Sequence, residues 1–132
     1  MPAPLTPELT LLGWSVVLFF VHMATQASAR IRETGLVYTA GPRDEQKPLG
    51  VLAGRAQRLF DNFKETYPVF IALTLALAVS GRAGGLADTG AWLWFGGRVA
   101  YIPMYLGGVP WLRTLCFAVS AVGLVMMLVR LL

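Results

Sequence analysis

The chain of 132 residues has little that a soluble domain of its size needs. Charged residues make up only 14% of it, against about 25% in ordinary soluble domains, while 56% is hydrophobic. A soluble monomer this small has nowhere to bury that much apolar surface, and disorder is excluded by the same balance. One cysteine, Cys116, leaves no internal disulfide framework, and one histidine, His22, leaves no cysteine- or histidine-based metal site. The formal charge of +4 invites a nucleic-acid reading. Its basic residues do not cluster in a soluble domain but punctuate long apolar runs, which excludes that partner and points to an integral membrane protein with basic loops. The mean hydropathy of +0.62 agrees.

A crossing helix needs about 20 mostly apolar residues. The first candidate, about 9–29, carries no charge. No basic residue precedes it, which favours a span over a cleaved leader. The segment from Arg30 to Gly54 is polar, rich in glycine and proline, and reads as a long loop. The second apolar core, Tyr67 to Val79, is only about 20 Å long as a helix and too short alone. The helix must start earlier, giving a span over 55–80 that draws polar residues toward the membrane. Gly81 to Gly90 reads as a turn, and two more spans follow at about 91–106 and 111–132. The expectation is an all-α membrane protein, one domain built as a four-transmembrane-helix bundle. Arg30, Arg32, Arg43, Lys47, Arg55 and Arg58 crowd the first loop, so the positive-inside rule puts loops 30–54 and 107–110 in the cytoplasm and both termini outside. Trp92 and Trp94 then mark the outer interface and Trp111 the inner one.

Arg55, Arg58, Asn62 and Glu65 follow one another at intervals of three, four and three, and so fall within about 80° on one helix face. Arg98, Tyr101 and Tyr105 share a face of the third span in the same way. With Arg113 at the start of the fourth, these side chains meet at comparable depth in the cytoplasmic half. An intramembrane charge costs about 2.5–3.5 kcal/mol on insertion scales and is a site hypothesis by default. Glu65 and Arg98, the two deepest, are expected to pair directly. Cations, a carboxylate, an amide and two phenols from three helices suit a small ligand carrying both ammonium and carboxylate groups. His22 and Gln26 read as interhelical hydrogen-bonding groups, Cys116 as a small buried side chain, and Gly96 and Gly97 as close-packing positions.

The segments RAQRLFDNFKETYPVF (55–70), GRVAYIPMYLGG (97–108) and WLRT (111–114) resemble the MAPEG family, the membrane-associated proteins in eicosanoid and glutathione metabolism, in a bacterial-type form. The resemblance runs from about Ala27 to the end. It implies a homotrimer in a bacterial inner membrane, with glutathione, or another low-molecular-weight thiol, bound as co-substrate between protomers. Carried over residue by residue, Arg58, Asn62 and Glu65 match the glutathione-binding stripe, with Glu65 accepting the γ-glutamyl ammonium. Tyr101 and Tyr105 match the third-helix partners, and Arg98 the arginine that pairs with the glutamate. Arg113 matches the catalytic arginine beside the sulfur, and Arg30 a carboxylate-binding arginine. The Tyr105-to-Arg113 interval is one residue shorter than in the prostaglandin synthase pattern. The implied activity is a glutathione-dependent transferase or peroxidase acting on a lipophilic electrophile from the bilayer. The alternative is a non-catalytic lipid-binding or scaffold protein of the same fold. Thiolate activation asks for about two pKa units, or about 2.7 kcal/mol, which an arginine beside the sulfur can supply.

Overall fold

In the computed structural model, the described residues are 3–44 and 47–132. Their regular structure is entirely helical, with 83% helix and no strand. The helices are α1 (Pro7–Thr34), α2 (Leu36–Ala40), α3 (Val51–Ser80), α4 (Leu86–Leu106) and α5 (Pro110–Leu131). Three of them, α1, α3 and α5, are long and apolar enough to cross a membrane.

Local chemistry accounts for boundaries that differ from those expected. At the start of α1 the Thr6 hydroxyl accepts from the Leu9 amide, Pro7 occupies the first turn, and Glu8 complements the helix dipole. The helix runs on past residue 29 to Gly35, whose φ of 86° ends it. At about 1.5 Å per residue its 28 residues exceed the hydrocarbon thickness, so Arg30 and Arg32 lie beyond the apolar run. The expected loop 30–54 therefore holds the last turn of α1, the short α2 and the start of α3. Glu33 closes that loop, because its carboxylate accepts from the Gly50 and Ala53 amides (2.6 and 3.1 Å) and caps the start of α3. Helix α4 begins at Leu86 rather than near 91, with Asp88 in its first turn.

The bundle packs α1 on α3 and α4, and α3 on α4 and α5. The closest pair is α4 with α5. A Cβ on Gly90 would stand 2.5 Å from the Gly123 carbonyl oxygen, and one on Gly123 would stand 2.7 Å from the Trp94 amide nitrogen. Gly97 packs as tightly against the Ser120 hydroxyl and the Cys116 carbonyl, whereas Gly96 faces open space. Small residues let the backbones approach where hydrophobic burial gives no drive between helices in lipid. Trp14, Val17, Phe20, Val122, Val125 and Val129 stay exposed on the outer faces of α1 and α5, as lipid-facing positions do.

Two aromatic residues depart from expectation. Trp94 is not at an interface. It is wholly buried and stacks on Phe70 at 3.9 Å between centroids, while Trp92 is 57% exposed. Two residues apart on a helix means about 200°, so only one of the two faces outward. Among the described residues His22 makes no interhelical hydrogen bond. Its Nδ1 lies 2.8 Å from the Leu18 carbonyl of its own helix, and its ring stacks on Phe63 at 4.3 Å.

Candidate functional site

The helical spacing of α3 turns one polar face toward the junction of α4 and α5, and a cavity of about 550 Å³ opens there. Arg58, Asp61, Asn62 and Glu65 line it from α3, Tyr101 and Tyr105 from α4, and Arg113, Thr114 and Phe117 from α5. Six of the eight site residues expected from sequence are thus brought together: Arg58, Asn62, Glu65, Tyr101, Tyr105 and Arg113. Asp61, Thr114 and Phe117 are additions. Asp61 was legible, since it sits three residues after Arg58 and four before Glu65, on the same stripe.

Arg98 and Glu65 do not pair. Arg98 is 1% exposed and lies behind the cavity wall, where its Nη1 donates to the Asn62 Oδ1 at 2.7 Å. The guanidinium rests against the rings of Tyr101 (4.7 Å) and Phe63 (5.6 Å). Asn62 stands between it and the exposed face of α3 where Glu65 points. This contact fixes the Asn62 amide. An arginine only donates, so it takes the amide oxygen and leaves the NH2 group free for the cavity.

In the single chain Arg30 does not line this cavity. Its Nη2 donates to Gln57 Oε1 at 2.6 Å, and it lines a separate cavity with residues of the α1–α3 loop. Arg55, the first residue of the stripe, donates from Nη1 to the Leu106 carbonyl at 3.0 Å and packs under Gly108, so it clamps the α4–α5 turn.

The remaining contacts leave a defined set of charges unspent. Arg58 Nε donates to the Tyr105 hydroxyl at 3.2 Å, and the Arg113 guanidinium lies 5.0 Å over the Tyr105 ring. Tyr105 thereby spaces the two cations. Among the described residues the one ion pair is Lys64 with Asp61, at 3.4 Å. Two guanidiniums and the Glu65 carboxylate therefore face the cavity with no partner of opposite charge. Pro68 has no amide to offer the Lys64 carbonyl one turn back, which loosens α3 beside Glu65.

The family model for the MAPEG family matches residues 8–132, nearly the whole chain. The chain belongs to the MAPEG family. Its members are glutathione-related transferases or peroxidases, and with three helices able to cross a bilayer this MAPEG protein is an integral membrane protein. No curated protein and no solved structure matches it.

Proposed function

We propose that this MAPEG protein is a glutathione-dependent membrane transferase or peroxidase acting on a lipophilic electrophile. The observation that carries the reading is the match of unspent charge. Glutathione brings two carboxylates and one ammonium, and the cavity offers two cations, Arg58 and Arg113, with one carboxylate outside an ion pair, Glu65, while Asp61 is held by Lys64. Glu65 takes the ammonium, and the Asn62 NH2 and the two phenols supply further hydrogen bonds. Another small thiol with the same termini fits the same set.

Arg113 does the chemical work. A free thiol has a pKa of about 8.5 and is only a few per cent ionised at pH 7. A permanently charged guanidinium beside the sulfur holds it as thiolate. The S–H proton passes to solvent, the sulfur forms a bond to the electrophilic carbon, and the leaving group departs with its electron pair. Phe117 gives that side of the cavity an apolar wall for a substrate arriving from lipid.

The reading includes α4 as a fourth span, since its 21 residues cover about 30 Å. It includes a homotrimer in a bacterial inner membrane, with the α1–α3 connection and the α4–α5 turn on the cytoplasmic side and both termini outside. Arg58 and Glu65 are exposed in the single chain. Charged groups on a bundle flank call for a covering neighbour rather than lipid tails, and a second copy supplies one. The test is conjugation of glutathione to 1-chloro-2,4-dinitrobenzene by the detergent-solubilised protein. Thioether formation above the uncatalysed rate is expected; a rate equal to that of the buffer would contradict the enzyme reading.

A further inference from the structure

The glycines of the long helices differ in what lies over them. Gly90, Gly97 and Gly123 meet the helix they pack against, and Gly13 and Gly96 face open space. Gly54, near the start of α3, does neither. Among the described residues it alone of these glycines is closed over by a side chain of its own helix. A Cβ built on it would stand 3.2 Å from Arg58 Nη1, 3.8 Å from Nη2 and 3.9 Å from Cζ. Gly54 is buried, whereas Arg58, one turn on, is exposed.

The Arg58 guanidinium therefore lies back along α3 on the bare backbone of the preceding turn. From there its Nε donates to the Tyr105 hydroxyl at 3.2 Å. That bond is at the long end for an N–H donor, and a methyl group on Gly54 would push the guanidinium by a few tenths of an ångström and out of range. An exposed arginine ordinarily moves among many rotamers, and ordering it for a ligand costs affinity. Here Gly54 below and Tyr105 across hold one pose in advance. With Nε spent on Tyr105, the N–H groups of Nη1 and Nη2 can take both oxygens of a carboxylate. Glycine is also less favourable than alanine inside a helix, and Ala53 and Ala56 stand close by. The exception at Gly54 falls under a cation of the cavity.

We propose that Gly54 is a positioning residue: by lacking a Cβ it seats the Arg58 guanidinium in the pose that receives a ligand carboxylate. The proposal rests on the reading of the α3–α5 cavity as a glutathione site.

Isothermal titration with glutathione compares the detergent-solubilised full-length protein with Gly54→Ala, Arg58→Lys and the double variant. Gly54→Ala is expected to bind about threefold to tenfold more weakly, the worth of one ordered side chain. Alanine favours the helix, so the variant folds at least as well as wild type. In the Arg58→Lys background no guanidinium lies over the backbone, and the same substitution is expected to change affinity by less than about twofold. A loss confined to the Arg58 background assigns Gly54 its role through Arg58. Equal affinity of wild type and Gly54→Ala, or an equal loss in both backgrounds, would overturn the proposal. The Arg58 Nε–H signal in an NMR spectrum of the arginine-labelled protein, identified by its absence from Arg58→Lys, reports on the seat without ligand. It is expected to move in Gly54→Ala, and a signal that stays in place would also overturn the proposal. If wild type binds no glutathione, the reading of the cavity falls, and this signal alone decides for or against the seat.

Discussion

Arg113→Ala is expected to lower kcat/KM for glutathione conjugation by about tenfold at pH 6 and about threefold at pH 7, with the deficit closing at about pH 7.5. The size follows from two opposing effects. Losing the guanidinium returns the bound thiol to its free pKa, about two units higher, and cuts the thiolate fraction about 100-fold below the lower of the two pKa values and about 25-fold at pH 7. A more basic thiolate is also a better nucleophile, with a Brønsted slope of about 0.4–0.5, which restores close to a factor of ten. Above the higher pKa both enzymes hold thiolate, so the first effect disappears and the second leaves the variant the faster. A pH profile of kcat/KM from 6 to 9.5 reads this directly. A deficit that stays constant across the range would show that Arg113 only binds the ligand, and an unchanged rate would remove it from the site. Arg113 is free to act in this way because, among the described residues, its guanidinium rests only on the face of Tyr105.

The second large effect is on stability. Asn62→Leu is expected to destabilise the protein by about 3 kcal/mol, whereas Arg98→Met costs about 1 kcal/mol or less. Arg98 is buried with its Nε and Nη2 unpartnered, and its Nη1 depends on the Asn62 oxygen. Removing the acceptor strands a buried cation among aromatic rings. Removing the arginine leaves a neutral amide beside a cavity and a flexible apolar side chain in its place. The double variant should recover most of what Asn62→Leu loses, giving a coupling energy of about 3 kcal/mol in a double-mutant cycle. Thermal unfolding in detergent measures all four proteins. Equal losses for the two single variants would contradict the arrangement of a caged cation with one acceptor.

These residues also show what could be read in the sequence. The stripe Arg58, Asn62, Glu65 and the pair Tyr101, Tyr105 were legible because helical periodicity alone decides which side chains share a face. Which face of one helix meets which face of another is set by packing, and there the reading faltered. Opposite charge at equal depth predicted a Glu65–Arg98 pair, but depth says nothing of azimuth. Gly97 on α4 packs against Ser120 and Cys116 on α5, and Trp94 stacks on Phe70. Arg98, one residue after Gly97, is carried inward with that packing and meets Asn62 instead. Arg30 was placed by resemblance in a site between protomers, and within the single chain the extra turn and a half of α1 beyond residue 29 brings it to Gln57. The helix ends were misjudged where the cap lay outside the apolar run, as with Thr6 before α1 and Glu33 reaching across to α3.

The central claim is that the unspent charges of the α3–α5 cavity hold a thiol tripeptide by both kinds of terminus. Isothermal titration of the solubilised protein with glutathione and with N-acetylated glutathione, for wild type and Glu65→Gln, tests it most directly. Wild type is expected to bind glutathione, and Glu65→Gln to bind it about 10–100-fold more weakly, the worth of a charge-assisted hydrogen bond. The acetylated analogue, which has no ammonium, should bind both proteins alike. No heat with millimolar glutathione, or equal affinity of wild type and Glu65→Gln, would contradict the account.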